Sequence, residues 1–520
     1  MGGAPMQPGT DHPTPRHATH PNRDPRRADR ALVIGAGFGG LSAALALAGA
    51  GYRVTVLEAG PRVGGKADSP TGEYDTGPSL LTLPDVLESV FRAAGCRLDE
   101  RVTVRRLSPA TQHRFSDGVV LTLGGEAEVR DALGVQAAWD YRRLLDHSRR
   151  IWEAAAPAFV YGDAPGLRQL ARDPLGSLRS LAAIDGTRSL ATAVASLTRS
   201  PHLRAVFNRF ATYSGSDPRV APATLLCVAW VELGLGAYGV VGGLHAVAKA
   251  MATRLAELGG EVHTGCRVER VVMERGRVAG VEAGGTHHRA DVVVSNADTR
   301  HLFDTLAPRG GLRAALASRS RASVPSMSGW NAVAPGAMGV PHTVLYPETR
   351  RGESIDEAYL DEFAAIFDRR AVRRSPTVYV CDQAAAHAAA PHLFFMVNAP
   401  DAAQWREGPE AMERIEHDAL DRARSHGARI DGPPMFRRSP AQLAERFSGS
   451  DGALYGAASN SRVSAFLRPP NRLPDFPGLY VASGTAHPGG GVPLAALSGL
   501  AAARAALEDA RPSRAAIRSA

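Results

Sequence analysis

Cysteine is scarce in this chain: four residues in 520, Cys96, Cys227, Cys266 and Cys381, with no C-x-x-C pair among them. Thiols so scattered argue against a disulfide framework or a zinc site and suit a reducing cytoplasm. Two histidine pairs occur, His287-His288 and His387/His392, but neither has carboxylate or cysteine neighbours at ligand spacing. They read as surface or loop histidines, and no metal is expected. No G-x-S-x-G elbow occurs, so a serine hydrolase has no support. No apolar segment precedes the first strand, and no secretory signal is expected. Aromatic residues make up only 6% of the chain, and no basic, aromatic-interleaved module accompanies the net charge of +8. No nucleic-acid partner is expected. The arginine surplus reads either as a solvated surface or as attraction to anionic lipid headgroups.

Charge is missing from two long stretches. Ala31 to Tyr52 has none, and Val220 to Leu244 has only Glu232. Both approach the length of a membrane span. Glycines crowd the first, and Pro222 with further glycines interrupts the second, so neither is expected to cross a bilayer.

What is present is organised around residues 31–66. Ala31 to Ile34 reads as a buried parallel strand. Gly35, Gly37 and Gly40 follow in G-x-G-x-x-G spacing, with Gly39 among them, and an Ala/Leu-rich helix runs to about Ala50. A second strand, Arg53 to Leu57, ends at Glu58. This is the order of a dinucleotide-binding βαβ unit. Gly35 allows the tight turn, Gly37 lets the backbone approach a pyrophosphate, and Gly40 lets helix and strand pack closely. The helix N-terminus offers unpaired N–H groups to that anion. Glu58 can accept from a ribose hydroxyl pair, and its acidity argues against a 2′-phosphate. No second unit of this kind occurs, so no separate NAD(P)H domain is expected.

Gly64-Gly65-Lys66 lies just beyond Glu58, and Asp75-Thr76-Gly77-Pro78-Ser79 follows. With these the pattern resembles the FAD-binding amine oxidase and carotenoid desaturase superfamily, and the DTGPS segment narrows it to the bacterial carotenoid (phytoene-type) desaturases. The far end agrees. Gly478 to Val481 reads as a strand, then Gly484 and His487-Pro488-Gly489-Gly490-Gly491-Val492-Pro493 lead into a helix from Leu494 to Leu507. Phe210 to Pro218 also resembles a segment of the family. Val240 stands where phytoene desaturases usually have proline, which looks more like the 1-hydroxycarotenoid 3,4-desaturase (methoxyneurosporene dehydrogenase) branch.

The resemblance implies FAD as cofactor. It places Gly64, Gly65 and Lys66 along the diphosphate, and Gly77, Pro78, Gly484, Gly490, Gly491 and Val492 among the cofactor contacts. Val268, through its backbone, would lie against the adenine. His487 is a candidate group near the flavin, or it shapes the glycine loop. The implied fold is α/β: a Rossmann-like FAD-binding domain with an inserted α+β substrate domain. Residues 29–105, 238–305 and 455–510 are assigned to the first, and 106–237 and 306–454 to the second. Residues 1–28 and 511–520 are read as disordered tails.

Within the chain, an amphipathic helix is expected over 83–95, strands over 102–123, and helices from Gln136 to about Arg209 with breaks at Pro157, Pro165 and Pro174. The implied activity is desaturation of an apolar acyclic carotenoid with hydride transfer to flavin, and quinone or oxygen as electron acceptor. The setting expected is cytoplasmic, with peripheral contact at the inner face of the cell membrane. A phytoene-type multi-step desaturase and a carotenoid oxygenase or isomerase stay open as alternatives. A non-catalytic prenyl-lipid binder resembling the GDP-dissociation inhibitors is disfavoured by the intact Glu58, GGK and HPGGGVP segments. An amine-oxidase reading lacks that subgroup's C-terminal aromatic cage pattern. If the substrate carries a terminal hydroxyl, one buried hydrogen-bonding group could reject the plain hydrocarbon.

Overall fold

Strands buried on both faces need near-continuous apolar sequence, and the segments Arg30–Ile34 and Val292–Ser295 supply it. They lie side by side and parallel, with Ala31 opposite Val292. The computed structural model describes residues 29–162, 183–307, 324–408, 410–460 and 468–510. The two expected tails, and the expected breaks at Pro165 and Pro174, lie outside the described residues.

The parallel sheet has five strands in the order Leu479–Val481, Val292–Ser295, Arg30–Ile34, Arg53–Leu57, Glu261–His263. Its strands come from three distant stretches of the chain. On one face the helices Phe38–Gly49 and Val492–Asp509 share a core that includes Leu41, Leu45, Ala496 and Ala503. Their alanine- and glycine-rich faces allow close approach. Beside this sheet, Val268–Glu274, Arg277–Ala283 and Thr286–Arg289 form an antiparallel three-stranded layer.

A second large sheet stands apart from the first. Its path runs Arg429–Ile430, Ser328–Ala337, His392–Ala399, Val378–Asp382, His342–Leu345, Thr111–Arg114, Val120–Thr122, and Phe436–Arg438 also pairs with Ser328–Ala337. Only the Thr111–Arg114 and His342–Leu345 pair is parallel. The helices Val135–Ala155, Leu190–Leu197 and Pro201–Asn208 share a core with one end of this sheet.

The 83–95 helix forms as Pro84–Ala93, and the 102–123 region holds three short strands. Several expectations shift. Helical structure starts before Gln136, at Glu126–Leu133, because a helix interrupted at Gly134 precedes the long one. Pro157 does not end the long helix, which continues through a wider turn over Ala156–Val160. The last helix begins at Val492 rather than Leu494, with proline in its first turn, where no N–H is needed. Among the described residues no helix is long and apolar enough to cross a membrane.

The histidines also depart from expectation. His387 and His392 are buried, not on the surface or in loops. His387 closes the Gln383–His387 helix, and its Nδ1 accepts from the Val240 N–H at 3.2 Å. Burial pushes its imidazole down to about 4, so it sits neutral in the core. His392 opens a central strand and packs its ring 5.2 Å from Tyr74. His287 and His288 lie on the Thr286–Arg289 strand, half-buried.

One carboxylate joins the DTGP segment to the parallel sheet's helices. Asp75, 3% exposed, accepts from the Leu244 N–H at 2.5 Å and from His245 N–H at 3.4 Å, capping the Leu244–Glu257 helix. Burial pushes its carboxyl up to about 7, against the lowering effect of the two amides. Between the ordinary value of 3.8 and about 7 the folded chain holds a proton that the unfolded chain has released. The contribution of Asp75 to stability therefore falls as pH rises across that window and is level on either side. In urea unfolding at about pH 4.5 and about pH 7.5, Asp75→Asn should lose this part of the decline, a difference on the order of a few kcal/mol. An identical pH dependence in the variant would count against a protonated Asp75.

Candidate functional site

In an open parallel sheet the crevice outside the carboxyl ends of the strands is where ligands bind. Here that crevice is part of a cavity of about 840 Å³, toward the upper end of the roughly 300–1,000 Å³ usual for ligand sites. Four strands deliver residues to it as they end: Gly35 and Gly37, Glu58, Asn296, then Ser483 and Gly484.

Gly35 takes φ +91, which turns the chain from strand to helix. Gly37 caps the Phe38–Gly49 helix, whose first-turn amides have no carbonyl in a preceding turn. They present the positive end of the helix to the cavity. Gly39 lines it, but Gly40 does not. A Cβ on Gly40 would collide with the Gly35 carbonyl oxygen, so this glycine serves the packing of helix on strand.

Glu58 lines the cavity with its carboxylate already placed. Oε2 accepts from the Ala36 N–H at 2.7 Å and Oε1 from the Gly60 N–H at 2.6 Å. A carboxylate has about four acceptor positions, so two remain for a ribose hydroxyl pair. The strand that begins at Val268 is led in by Cys266, whose N–H donates to the Glu58 carbonyl at 2.8 Å, and Val268 lines the same region.

Gly64 bonds through its N–H to the Ala36 carbonyl at 2.8 Å, laying the second glycine segment beside the first. Gly65, Lys66, Gly77 and Pro78 line the cavity there, and Gly490, Gly491 and Val492 do so from the far end of the chain. The Lys66 Nζ donates to the carbonyls of Ala453 at 3.0 Å and Leu454 at 2.6 Å. Burial lowers its pKa, and Asp298 opposes that; burial pushes the Asp298 carboxyl up to about 6.

His487 also faces the cavity, but its imidazole is engaged: Nε2–H donates to the Gly162 carbonyl at 3.0 Å. Its own carbonyl accepts from Asn471 Nδ2 at 3.0 Å, and its N–H reaches the Pro469 carbonyl at 3.0 Å. This bonding favours shaping of the glycine loop over a reacting group.

Two residues at this end were not singled out from sequence. Asn296 accepts from the Gly37 N–H at 3.1 Å through Oδ1, and its Nδ2 donates to the Ala482 carbonyl. Its only signal in the sequence is a polar residue directly after a buried strand. Arg468 lines the cavity, with Nη1 donating to the Gly484 carbonyl at 3.3 Å. It keeps some accessible surface yet lies deep in the protein, and burial pushes it down to about 10. Among the described residues no carboxylate pairs with it, and a deep cation so placed fits an anionic ligand. The glycine cradle, the half-used Glu58 carboxylate and Arg468 together fit a dinucleotide with its diphosphate.

From this cradle the cavity continues into an apolar arm lined by Trp152, Phe159, Ile184, Leu225, Val228 and Val231. Its wall is a face of the eight-stranded sheet. Val344, Tyr379, Met396, Asn331 and Arg438 stand in one row across five strands, each opposite the next, and all five line the cavity. The Tyr379 hydroxyl is bonded to Ser79 Oγ at 2.7 Å and His342 Nδ1 at 2.8 Å. Burial pushes the His342 imidazole down to about 3. Arg209 lines the cavity too, paired with the buried Glu232 at 2.9 Å, and the Tyr213 hydroxyl donates to the same carboxylate. Among the described residues no group of side chains could hold a metal ion.

Residues 38–507 match the family described as flavin containing amine oxidoreductase. The chain is 33% identical over 502 residues to the hydroxyneurosporene desaturase of Rubrivivax gelatinosus, covering 92% of this chain and 93% of that protein. It is 30% identical to the 4,4'-diapolycopene oxygenase of Methylomonas sp, covering 90% and 96%. Among solved structures, an oxidoreductase from Methanosarcina mazei superposes with a TM-score of 0.59 at 18% identity, over 91% of this chain and 99% of that one. That likeness speaks for the fold, with the cradle and the sheet wall in one architecture. The chain belongs to the flavin containing amine oxidoreductases, as an FAD-dependent oxidoreductase of the carotenoid desaturase family on the hydroxyneurosporene desaturase branch.

Proposed function

We propose that the chain desaturates an acyclic carotenoid, introducing the 3,4 double bond of a 1-hydroxycarotenoid. The observation that carries the reading is the continuity of the cavity, which joins a dinucleotide cradle directly to a long apolar arm. The hydroxyneurosporene desaturases among its relatives support the substrate class. The chemistry FAD supplies when bound is two-electron oxidation, uptake of a hydride from an allylic CH₂ while a proton leaves the neighbouring carbon.

The chain's own residues would hold the cofactor and aim the polyene. Glu58 would take the ribose, and the amides of Phe38 and Gly39 with Gly64 and Gly65 would take the diphosphate. Val268 would pass the adenine, and Gly77, Pro78, Gly484, Gly490, Gly491 and Val492 would border the ring end. Arg468 would oppose negative charge at that end. Trp152, Phe159 and their neighbours would exclude water and fix the chain, so that positioning carries much of the rate. Electrons would pass on to quinone or oxygen.

Peripheral attachment at the inner face of the cell membrane belongs to the same proposal. Val135 and Trp139 are exposed at the start of the Val135–Ala155 helix, whose other end supplies Trp152 to the arm. Because the substrate leaves a bilayer rather than water, apolar contact alone gives little net affinity.

Product analysis tests the reaction. FAD-loaded protein in liposomes receives phytoene, lycopene and a 1-hydroxylated acyclic carotenoid in parallel, with chromatography and absorbance as readouts. A red-shifted product with one more conjugated double bond, formed from the hydroxylated substrate, is expected. Turnover of phytoene would move the assignment to a multi-step desaturase, and an oxygenated product to the oxygenase reading that the Methylomonas relative favours.

The cofactor assignment has its own check. Glu58→Ala removes the acceptor for Ala36 and Gly60 as well as for the ribose, and should lower FAD affinity roughly tenfold or more. Flavin-to-protein ratio after dialysis reads this directly; full retention would overturn the role given to Glu58.

A further inference from the structure

Two amides interrupt the apolar wall, and neither has a use within the fold. Asn331, 4% exposed, carries a buried Oδ1 with no hydrogen-bond partner. Asn398, 8% exposed, makes no side-chain hydrogen bond among the described residues. Both line the cavity. A buried amide left unpaired is destabilising, and a leucine in either place would suit a sheet wall better. Stability therefore gives no reason for them.

The register places them together. Asn331 stands opposite Met396, and Asn398 opposite Gly329, on neighbouring antiparallel strands. The two asparagines are diagonal neighbours on one face, about 7–8 Å apart at the backbone. Glycine at 329 makes room for the Asn331 amide: a Cβ there would come within 3.3 Å of Asn331 Oδ1 and 3.4 Å of Met396 Cγ. The nearby Tyr379 hydroxyl is already taken by Ser79 and His342, so it is a poorer candidate for a ligand.

The wall around the pair is bonded to the cofactor segments on both flanks, through Arg438 to Asp68 and through Tyr379 to Ser79 beside Pro78. Arg438, opposite Asn331, bonds to Asp68 at 3.4 Å, two residues beyond Lys66 in the second glycine segment. That position matters for the proposed reaction. In a 1-hydroxycarotenoid a single carbon separates the carbinol carbon from the 3,4 bond, so a group that grips the hydroxyl must sit close to the flavin.

We infer that Asn331 and Asn398 form the subsite for the terminal hydroxyl of the substrate. An alcohol donates one hydrogen bond and accepts others, and a primary amide does both. Two amides on one wall of the cavity offer it both donors and acceptors. A hydrocarbon end in the same place leaves both amides unpaired, so the subsite selects by rejection as much as by attraction. The inference rests on the proposed reading of the substrate and deepens it.

Its test separates the two. Wild-type protein, N331L and N398L, each loaded with FAD, are titrated with a 1-hydroxylated acyclic polyene and with its non-hydroxylated counterpart, following the polyene absorbance shift. The kcat/KM values for both compounds are measured alongside. Wild-type protein should prefer the hydroxylated compound by at least about tenfold, and each variant should lose most of that preference while keeping its flavin. If a leucine variant does not retain flavin, N331A or N398A takes its place. A preference unchanged in both variants, or absent from wild-type binding, overturns the subsite. Wild-type protein that binds the hydroxylated polyene selectively through these residues but forms no new double bond upholds the subsite and overturns the reaction.

Discussion

The Asn296 amide holds the nucleotide end together. Its two halves bond to stretches of chain that are far apart in sequence, the Gly37 amide on one side and the Ala482 carbonyl on the other. Both partners lie at the carboxyl ends of parallel strands, where the backbone leaves the sheet and its hydrogen-bonding groups lose their ladder partners. A side-chain amide carries a donor and an acceptor in fixed geometry, so it can close that gap without help from water. The glycine cradle keeps its shape because this bridge sets the distance between the first helix and the strand Leu479–Val481. Glu58 does the same on the opposite flank, fastening Ala36 and Gly60.

Beyond the cradle, polar groups sit in places where burial penalises them. Arg209 and Glu232 form an ion pair beside an apolar arm, and such pairs seldom add to stability over well-packed apolar residues. Asp68 is nearly inaccessible and meets Arg62, Arg438 and Arg446. Its pKa is lowered overall: burial raises it, and the three arginines outweigh burial. Arg62, Arg209, Arg438 and Arg446 all line the cavity. The interior there is polar enough to orient a ligand and dry enough to make each hydrogen bond count.

The sequence was most legible where one short stretch contains a whole device. The βαβ unit shows itself through period, glycine spacing and a terminal acid, and the structure has those strands within a residue of their expected limits. The HPGGGVP loop is legible for the same reason. Asn331 and Asn398 were not, because their significance depends on which residues face each other across two strands 60 or so positions apart, and on which atoms lack partners. Arg468 likewise has no local pattern around it. His387 departs from expectation because the lack of ligand neighbours in sequence says nothing of burial, and the Val240 N–H that it accepts from is 147 positions away. That bond gives Val240 a physical meaning of its own: a proline in its place would have no N–H to donate.

The order of strands in the parallel sheet has a consequence for how the protein is made. Leu479–Val481 lies at one edge, next to Val292–Ser295, and is followed by the helix that covers the first one. On the ribosome these pieces emerge after the other four strands of the sheet. Until then Val292–Ser295 is an open, apolar edge strand and the Phe38–Gly49 helix lacks part of its cover, a condition that invites wrong pairing. The cradle gains Gly484 and the Gly490–Val492 turn only after those strands have been made. A chain cut short before residue 479 therefore lacks part of the place that would hold the flavin.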